Sequence, residues 1–591
     1  MKSIYHFCLI VLFLSPHVCF GQGELTLDEI LIEESSSLTE SPTGYKEKID
    51  LTGNHSESLA SALKKSSSTV VQQQGSQGSL VSIKVPGSIQ SNQTLILVDD
   101  IPLTSGRCRG YQFDISHLPK RWFESVEVLQ GTHGQIYGGY SAGGVVNLRT
   151  KEPKEDRGAM GFVGGNSQLS AQEGGSIHWK FNNNIATQLS AELNQTPEIL
   201  KKNSSFSGIY QSGGFNFENR NFLTSFKQFL LLSDKLIPPS PGYNFVSTQK
   251  TTQHLSIAKF SYKNVHSSIA HHIANTDFSS SIEKTNTLNN SVFLVSKTSL
   301  PVAAWSRINL RGEAASNWLE GVTPQNINEY SFGASASHDL LLFDEKLTFS
   351  TGARLDWFDN LGLEKNYGLG LDYKISKKFS LFGNYGTSFT PPNYAQLFGF
   401  PGYNIGNSAL KPSHSRGADI GLTSRLGKFS GTTRFFTLWH NDLITEQKTE
   451  SGERQYKNSQ NSFAYGMSRS FGWELFPWLE AMWDFASVFH KFKNKEKVPF
   501  TPKYHSTMSL KFPFDNWTLI TSYLFRGEMF DSFSNSTLRS NHDVGFSLLL
   551  TPVKNLELEI TGANLLDLDR EDMKDYPLPG RTLGALLRVI I

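Results

Sequence analysis

The stretch FESVEVLQGTHGQIYGGYSAGGVVNLRTKEP, from Phe123 to Pro153, constrains the fold more than any other part of the chain. Val126 and Val128, then Val145, Val146 and Leu148, make two short apolar runs of strand type, and acidic Glu124 and Glu127 lie on the first. Between them stand Gly131, Gly134, Gly138, Gly139, Gly143 and Gly144. Glycine at that density predicts tight turns with positive φ, or a backbone that lies close against another surface. No Lys-Ser or Lys-Thr follows to complete a phosphate loop.

At 591 residues the chain exceeds one ordinary soluble core, so it folds as several domains or as one very large β-structure. With 55 basic and 54 acidic residues, no global field argues for nucleic acid. Charged residues make up only 18% while aromatics reach 12%, a mix that suits many short aromatic strands, as in a membrane barrel with aromatic girdles. Beyond the N-terminus no apolar run reaches the ~18 residues that a spanning helix needs. If this chain crosses a membrane, it does so with strands.

The N-terminus, MKSIYHFCLIVLFLSPHVCFGQ, reads as a secretory signal over residues 1–21. Lys2 supplies the positive end, Ile4 to Leu14 the apolar core, and Pro16 breaks it ahead of cleavage after Gly21. Cleavage removes Cys8 and Cys19 and leaves Cys108 alone, so neither an internal disulfide nor a cysteine metal cluster is expected. Residues 22–45 are acidic and rich in Ser and Thr, end in Pro42 and Gly44, and cannot bury enough apolar surface to order themselves.

Residues 46–153 read as an α+β domain. Leu59, Ala62 and Leu63 recur at helical spacing behind polar Ser56 and Glu57, which predicts an N-capped amphipathic helix. VSIKV from Val81 and TLILVDDIPL from Thr94 are strands, the second apolar enough to be buried on both faces. Residues 154–591 follow a period of two. Leu556, Leu558 and Ile560 alternate with Glu557, Glu559 and Thr561, and Ala418, Ile420 and Leu422 alternate with Asp419 and Gly421. Phe379 and Leu381 alternate with Ser380, though Phe382 breaks the rhythm. One apolar and one polar face is what a barrel between lipid and a wet lumen requires, and such a sheet must close. Alternation alone would equally suit a soluble β-solenoid or sandwich array.

The order of residues in the glycine-rich stretch resembles the end of the plug domain of TonB-dependent outer-membrane receptors. Glu124, Val126, Glu127, Val128, Gly131, Tyr137, Gly138, Ala142, Gly143, Gly144, Val145, Asn147, Thr150 and Lys151 all fall in place. Ser82, Ile83, Leu95, Leu97, Asp99, Pro102 and Leu103 agree with earlier plug wording. Lys84 stands for an arginine, Val85 with Pro86 for a glycine, and Asp100 for the glycine after Asp99. Lysine lacks the bidentate fork, which puts any plug-to-barrel ion lock at that position in doubt. Phe389, Pro392, Leu397, Gly406, Asn407, Leu410, Lys411 and Pro412 resemble a barrel motif of the same family, with Ser413 and Asp419 where glutamates are usual. Asn564, Leu565, Asp567, Tyr576, Pro577, Pro579, Gly580 and Arg581 resemble its closing motif, and Ile591 stands for a terminal Phe.

The resemblance implies an all-β transmembrane barrel of about 22 antiparallel strands with an N-terminal α+β plug domain inside its lumen. It implies that Asp28, Glu29, Ile30, Leu31, Ile32 and Glu33 serve as a TonB box, adding a strand to a sheet edge of an inner-membrane energy complex. It places ligand contacts in the plug loops at 72–79 and 104–113, with Gln74, Ser76, Gln77, Arg107, Arg109 and Tyr111 as candidates. The two arginines are forks for anionic groups and Tyr111 an aromatic face. The implied function is active uptake of a scarce ligand, such as a ferric siderophore, cobalamin or another metal chelate, across the outer membrane of a diderm bacterium. The rival from another class is a passive or adhesin-like barrel that kept its plug; a second is a β-rich enzyme of the periplasm or cell surface. No catalytic constellation, cofactor motif or calcium loop is found, and the adjacent His271 and His272 face opposite sides of a strand and cannot share a metal. A lipid bilayer, the energy complex and the ligand are the expected partners, with no nucleic acid and a single copy of the chain.

Overall fold

The computed structural model describes residues 30–31, 46–53, 57–74, 81–103, 114–152, 157–182, 184–197, 205–219, 222–237, 246–281, 284–321, 326–400, 404–450, 452–494, 496–532 and 534–591. Among these, 22 antiparallel strands, from Arg157–Asn166 to Thr582–Ile590, close into one barrel. The last strand pairs with the first, from Gly584 opposite Asn166 to Ile590 opposite Met160, so no edge is left unpaired in hydrocarbon. The expected alternation builds the wall. Ile420 and Leu422 point outward and exposed while Asp419, just before them, is buried inward. Leu587 and Val589 likewise face outward.

One end of the barrel has two-residue turns, such as 263–264, 304–305, 427–428, 477–478 and 515–516, and the other carries the longer loops, including 391–412 and 564–581. Tyr262, Trp305, Trp473, Trp478 and Trp517 stand exposed beside the short turns and form an aromatic girdle.

The bore is filled by a six-stranded sheet in the order Ile30–Leu31, Lys46–Asp50, Phe123–Gln130, Gly144–Thr150, Thr94–Val98, Ile101–Pro102. Thr94–Val98 is buried along its whole length, as its unbroken apolar run requires, and pairs in parallel with Gly144–Thr150. A hairpin of Val70–Gln73 and Val81–Lys84 and the helix Leu59–Lys64 complete this plug. The helix is N-capped as expected, by Ser58, whose side chain accepts from Ser61 N.

Phe382 breaks the outward rhythm because it faces inward, buried over Gly421, where an added Cβ would lie 2.1 Å from its ring. His271 hydrogen-bonds Asn290 on one face of its strand while His272 is buried on the other.

Candidate functional site at the plug–barrel interface

The turn after Thr94–Val98 is two residues long, Asp99 and Asp100, with φ of 50° and 71°. Positive φ at both positions is the hairpin turn that matches strand twist, and aspartate tolerates it better than most side chains. Asp100 therefore takes the conformation its family glycine would have, and adds a carboxylate. Asp99 accepts from the Thr150 amide (3.0 Å) and hydroxyl (2.6 Å) and lies 3.0 Å from Lys259 Nζ and 3.5 Å from Lys227 Nζ. Asp100 pairs with Arg149 (2.9 Å) and Lys297 (3.2 Å). Arg149 also holds Glu127 at 2.7 Å, and Lys46 holds the same carboxylate at 2.7 Å. Lys227 reaches Glu152 as well.

Burial pushes the Asp99 carboxyl up, but Lys259, Lys227 and the Thr150 hydrogen bonds outweigh it and bring its pKa to about 2. Burial is likewise outweighed at Asp100, where Lys297 and Arg149 hold the carboxyl well below the usual range. Both carboxylates are ionised at neutral pH, so the plug is fastened to the barrel wall by charge-assisted contacts in a partly buried interface.

The glycine-rich stretch makes a second contact. It forms the short helix Gly134–Tyr137 and lies flat on the wall. A Cβ on Gly134 would sit 2.2 Å from Thr387 O, and one on Gly138, at φ 74°, would sit 2.7 Å from Arg354 Nε. Arg354 donates to Ile136 O (2.9 Å), Ser388 donates to Gly138 O (3.0 Å), and Arg434 donates to Gln130 Oε1 (2.8 Å). Arg434 is in turn paired with Asp419, the aspartate that stands for a glutamate. The glycines serve both expected roles, turn geometry and close approach.

Lys84 is buried, with Nζ donating to Ile89 O (3.3 Å) and to Thr501 Oγ1 of the barrel (3.2 Å). Among the described residues it has no carboxylate partner, so the lock lies at Asp99 and Asp100 instead. Burial lowers its pKa to about 7.

Gln74 is half-buried, just beyond the strand Val70–Gln73, whose Gln73 amide donates to Asp572 Oδ2 (3.2 Å) of a barrel loop. Ser76, Gln77, Arg107, Arg109 and Tyr111 lie outside the described residues. The stems of their two loops meet, since Val81 N donates to Asp114 Oδ1 (2.9 Å) and Asp114 pairs with Lys235 (2.5 Å) near the long-loop end. Of the six residues at 28–33, Ile30 and Leu31 form a two-residue strand pairing antiparallel with Lys46–Asp50, Ile30 opposite Ile49 and Leu31 opposite Lys48. Asp28, Glu29, Ile32 and Glu33 lie outside the described residues.

Sequence reasoning missed the basic partners Lys227, Lys259, Lys297 and Arg149. The paired aspartates in a tight turn after an apolar strand were the visible signal. Their lysines lie more than 100 positions away, and nothing local marks them.

The family model described as TonB dependent receptor-like, beta-barrel, matches residues 130–567, and that described as TonB-dependent Receptor Plug Domain matches residues 43–145. The chain is 24% identical over 410 residues to the vitamin B12 transporter BtuB of Vibrio vulnificus (strain CMCP6), a match spanning 65% of this chain and 64% of that relative. Its fold superposes on a single-residue mutant of the ferric enterobactin receptor PfeA of Pseudomonas aeruginosa, in complex with enterobactin, with a TM-score of 0.78, 15% identity and coverage of 94% of this chain and 100% of that one. It also matches the siderophore receptor PirA of Acinetobacter baumannii, with a TM-score of 0.77, 15% identity and coverage of 92% and 98%. The first family model alone covers well over half of the chain, and the plug and the closed barrel agree with it: this chain belongs to the TonB-dependent receptor family.

Proposed function

We propose that the protein is an energised outer-membrane transporter for a scarce metal chelate or cobalamin-like ligand. The observation that carries this reading is the plug itself. It closes the bore through contacts that can be broken and remade, and its edge strand Lys46–Asp50 carries Ile30–Leu31 as an added strand. A two-residue pairing is a weak hold, and the same segment can be traded to the sheet edge of a TonB-type partner. The long-loop end then faces outward and receives the ligand at the loops 72–79 and 104–113, where Gln74, Ser76, Gln77, Arg107, Arg109 and Tyr111 make the contacts. Residues 1–21 direct export and are removed. A pull on residues 28–33 from the short-turn side supplies the work, so no nucleotide or catalytic residue is needed in this chain. One copy holds the whole route.

Deletion of residues 28–33 tests the reading. Cells that depend on this protein for growth on a ferric siderophore or on cobalamin should stop growing, while the purified variant keeps the ligand affinity of the intact chain. Unchanged growth would instead identify a passive barrel that kept its plug.

A further inference from the structure

The plug is held differently on its two sides. On one side its apolar core is continuous with the wall, where Val98, Leu103 and Trp122 pack with Phe229, Leu231 and Leu255 around a cavity of only about 20 Å³. Trp122 lies edge-on to Tyr210 at 6.0 Å and against Phe229 at 4.9 Å. Lys227, Lys259 and Lys297 pin this contact at its short-turn end and Lys235 at the other. The four strands from Phe222 to Ala303, three of which bear these lysines, contain two carboxylates, Asp234 and Asp277, and both point outward. Elsewhere several inner-wall charges pair within the wall itself, Arg434 with Asp419, Lys511 with Glu480, Arg588 with Glu557. Lifting the plug from the lysine wall would thus expose apolar surface and strand buried cations together, which is costly on both counts.

Beside this contact, where the first and last barrel strands meet, a cavity of about 350 Å³ separates plug from wall, with Tyr210 on its near edge. It starts at the long-loop end beside Lys64 and Asp572 and reaches Ile520, three positions from the short-turn end of its strand. Arg121 of the plug spans the gap. Its Nη1 donates to Glu192 (3.0 Å) and Gln172 (3.1 Å), and its guanidinium lies 3.8 Å from the centre of the Phe162 ring.

We infer that the cargo passes along this cavity at the barrel seam, with Arg121 as the latch that closes it and the lysine-bearing wall as the anchor on which the plug stays seated. The inference rests on the transport reading above and adds the route. Opening here costs a few polar contacts that water or a polar solute can replace, whereas opening on the anchor side costs the fused core. The lining pairs Arg570 with Asp543 and Lys64 with Asp572, holds Arg526 on Met529 Sδ and Glu571 O, and adds amides and hydroxyls such as Asn194, Asn541 and Ser522. With Lys64, Lys65, Lys120, Arg121, Arg526 and Arg570 against Glu57, Glu192, Asp543 and Asp572, such a lining suits a polar, hydrogen-bonding cargo that is neutral or anionic.

The test is L-arabinose entry into proteoliposomes carrying the full-length chain, read as swelling rate, with barrel folding of each variant checked by its heat-modifiable gel shift. Loss of a buried charged partner in Arg121→Ala should raise the rate on the order of tenfold over the native chain, with Arg121→Lys between them. Leu255→Ala, which removes plug contact on the anchor side, should leave the rate at the native value. A native rate in Arg121→Ala, or an equal leak in Leu255→Ala, would overturn the inference. A second readout does not depend on the latch: Ser522→Cys should react with a membrane-impermeant methanethiosulfonate added from the long-loop side at least tenfold faster than Ile257→Cys, and equal or reversed rates would count against the route. Neither readout needs ligand or energy, so both can fail or succeed independently of the growth test on residues 28–33.

Discussion

Lys84 shows what one substitution does to a plug. An arginine at this position would stay charged whatever its surroundings, whereas lysine can give up its proton when buried. Its folded pKa is depressed from 10.5 to about 7, so the folded plug binds fewer protons than the unfolded one between those values. Stability from this group is then full above the unfolded pKa and is lost as pH falls through the folded one. Plug unfolding in urea, followed at pH 7 and pH 10, should show a plug that tightens with rising pH, by about 4 kcal/mol at most at ~1.4 kcal/mol per pH unit. Lys84→Met should flatten that dependence. A native pH slope retained in the variant would place the titrating group elsewhere. This much was legible from the residue type, because the departure from arginine signalled a lost ion pair. The replacement lock at Asp99 and Asp100 was not, since its lysines lie on three separate barrel strands and only the closed fold brings them together.

At the level of elements, local chemistry was read more surely than contact. The apolar run of Thr94–Val98, the turn glycines and the helix at Leu59–Lys64 all follow from spacing and residue type. The surface that the glycine-rich stretch lies against could be anticipated but not identified, because the packing partner is the barrel strand Phe379–Thr390, more than 200 positions on. Gly134 is the sharpest probe of that contact. Its added Cβ would meet backbone, Thr387 O at 2.2 Å and Ser388 Cα at 2.8 Å, so neither side can yield by turning a side chain. Gly134→Ala should destabilise the seated plug by about 1–3 kcal/mol, the usual cost of overpacking. Urea unfolding should register this in the plug transition while the barrel transition and its gel shift stay native. An unchanged plug midpoint would mean that the stretch does not bear on the wall.

For the molecule as a whole, the period of two and the plug wording together pointed to the architecture, and each was insufficient alone. Alternation cannot separate a closed barrel from an open array; closure is visible only where Thr582–Ile590 pairs with Arg157–Asn166. The candidate ligand residues were less legible, because five of the six lie in loops outside the described residues and only Gln74 is placed. The central claim is that a folded stopper seals a barrel wide enough to conduct. Ion conductance in planar bilayers tests it most directly, comparing the full-length chain with one lacking residues 46–152. The full-length chain should stay silent at neutral pH and the deletion variant should open a wide ohmic pore. A full-length chain that conducts as freely as the deletion variant, or a folded deletion variant that stays silent, would contradict the account.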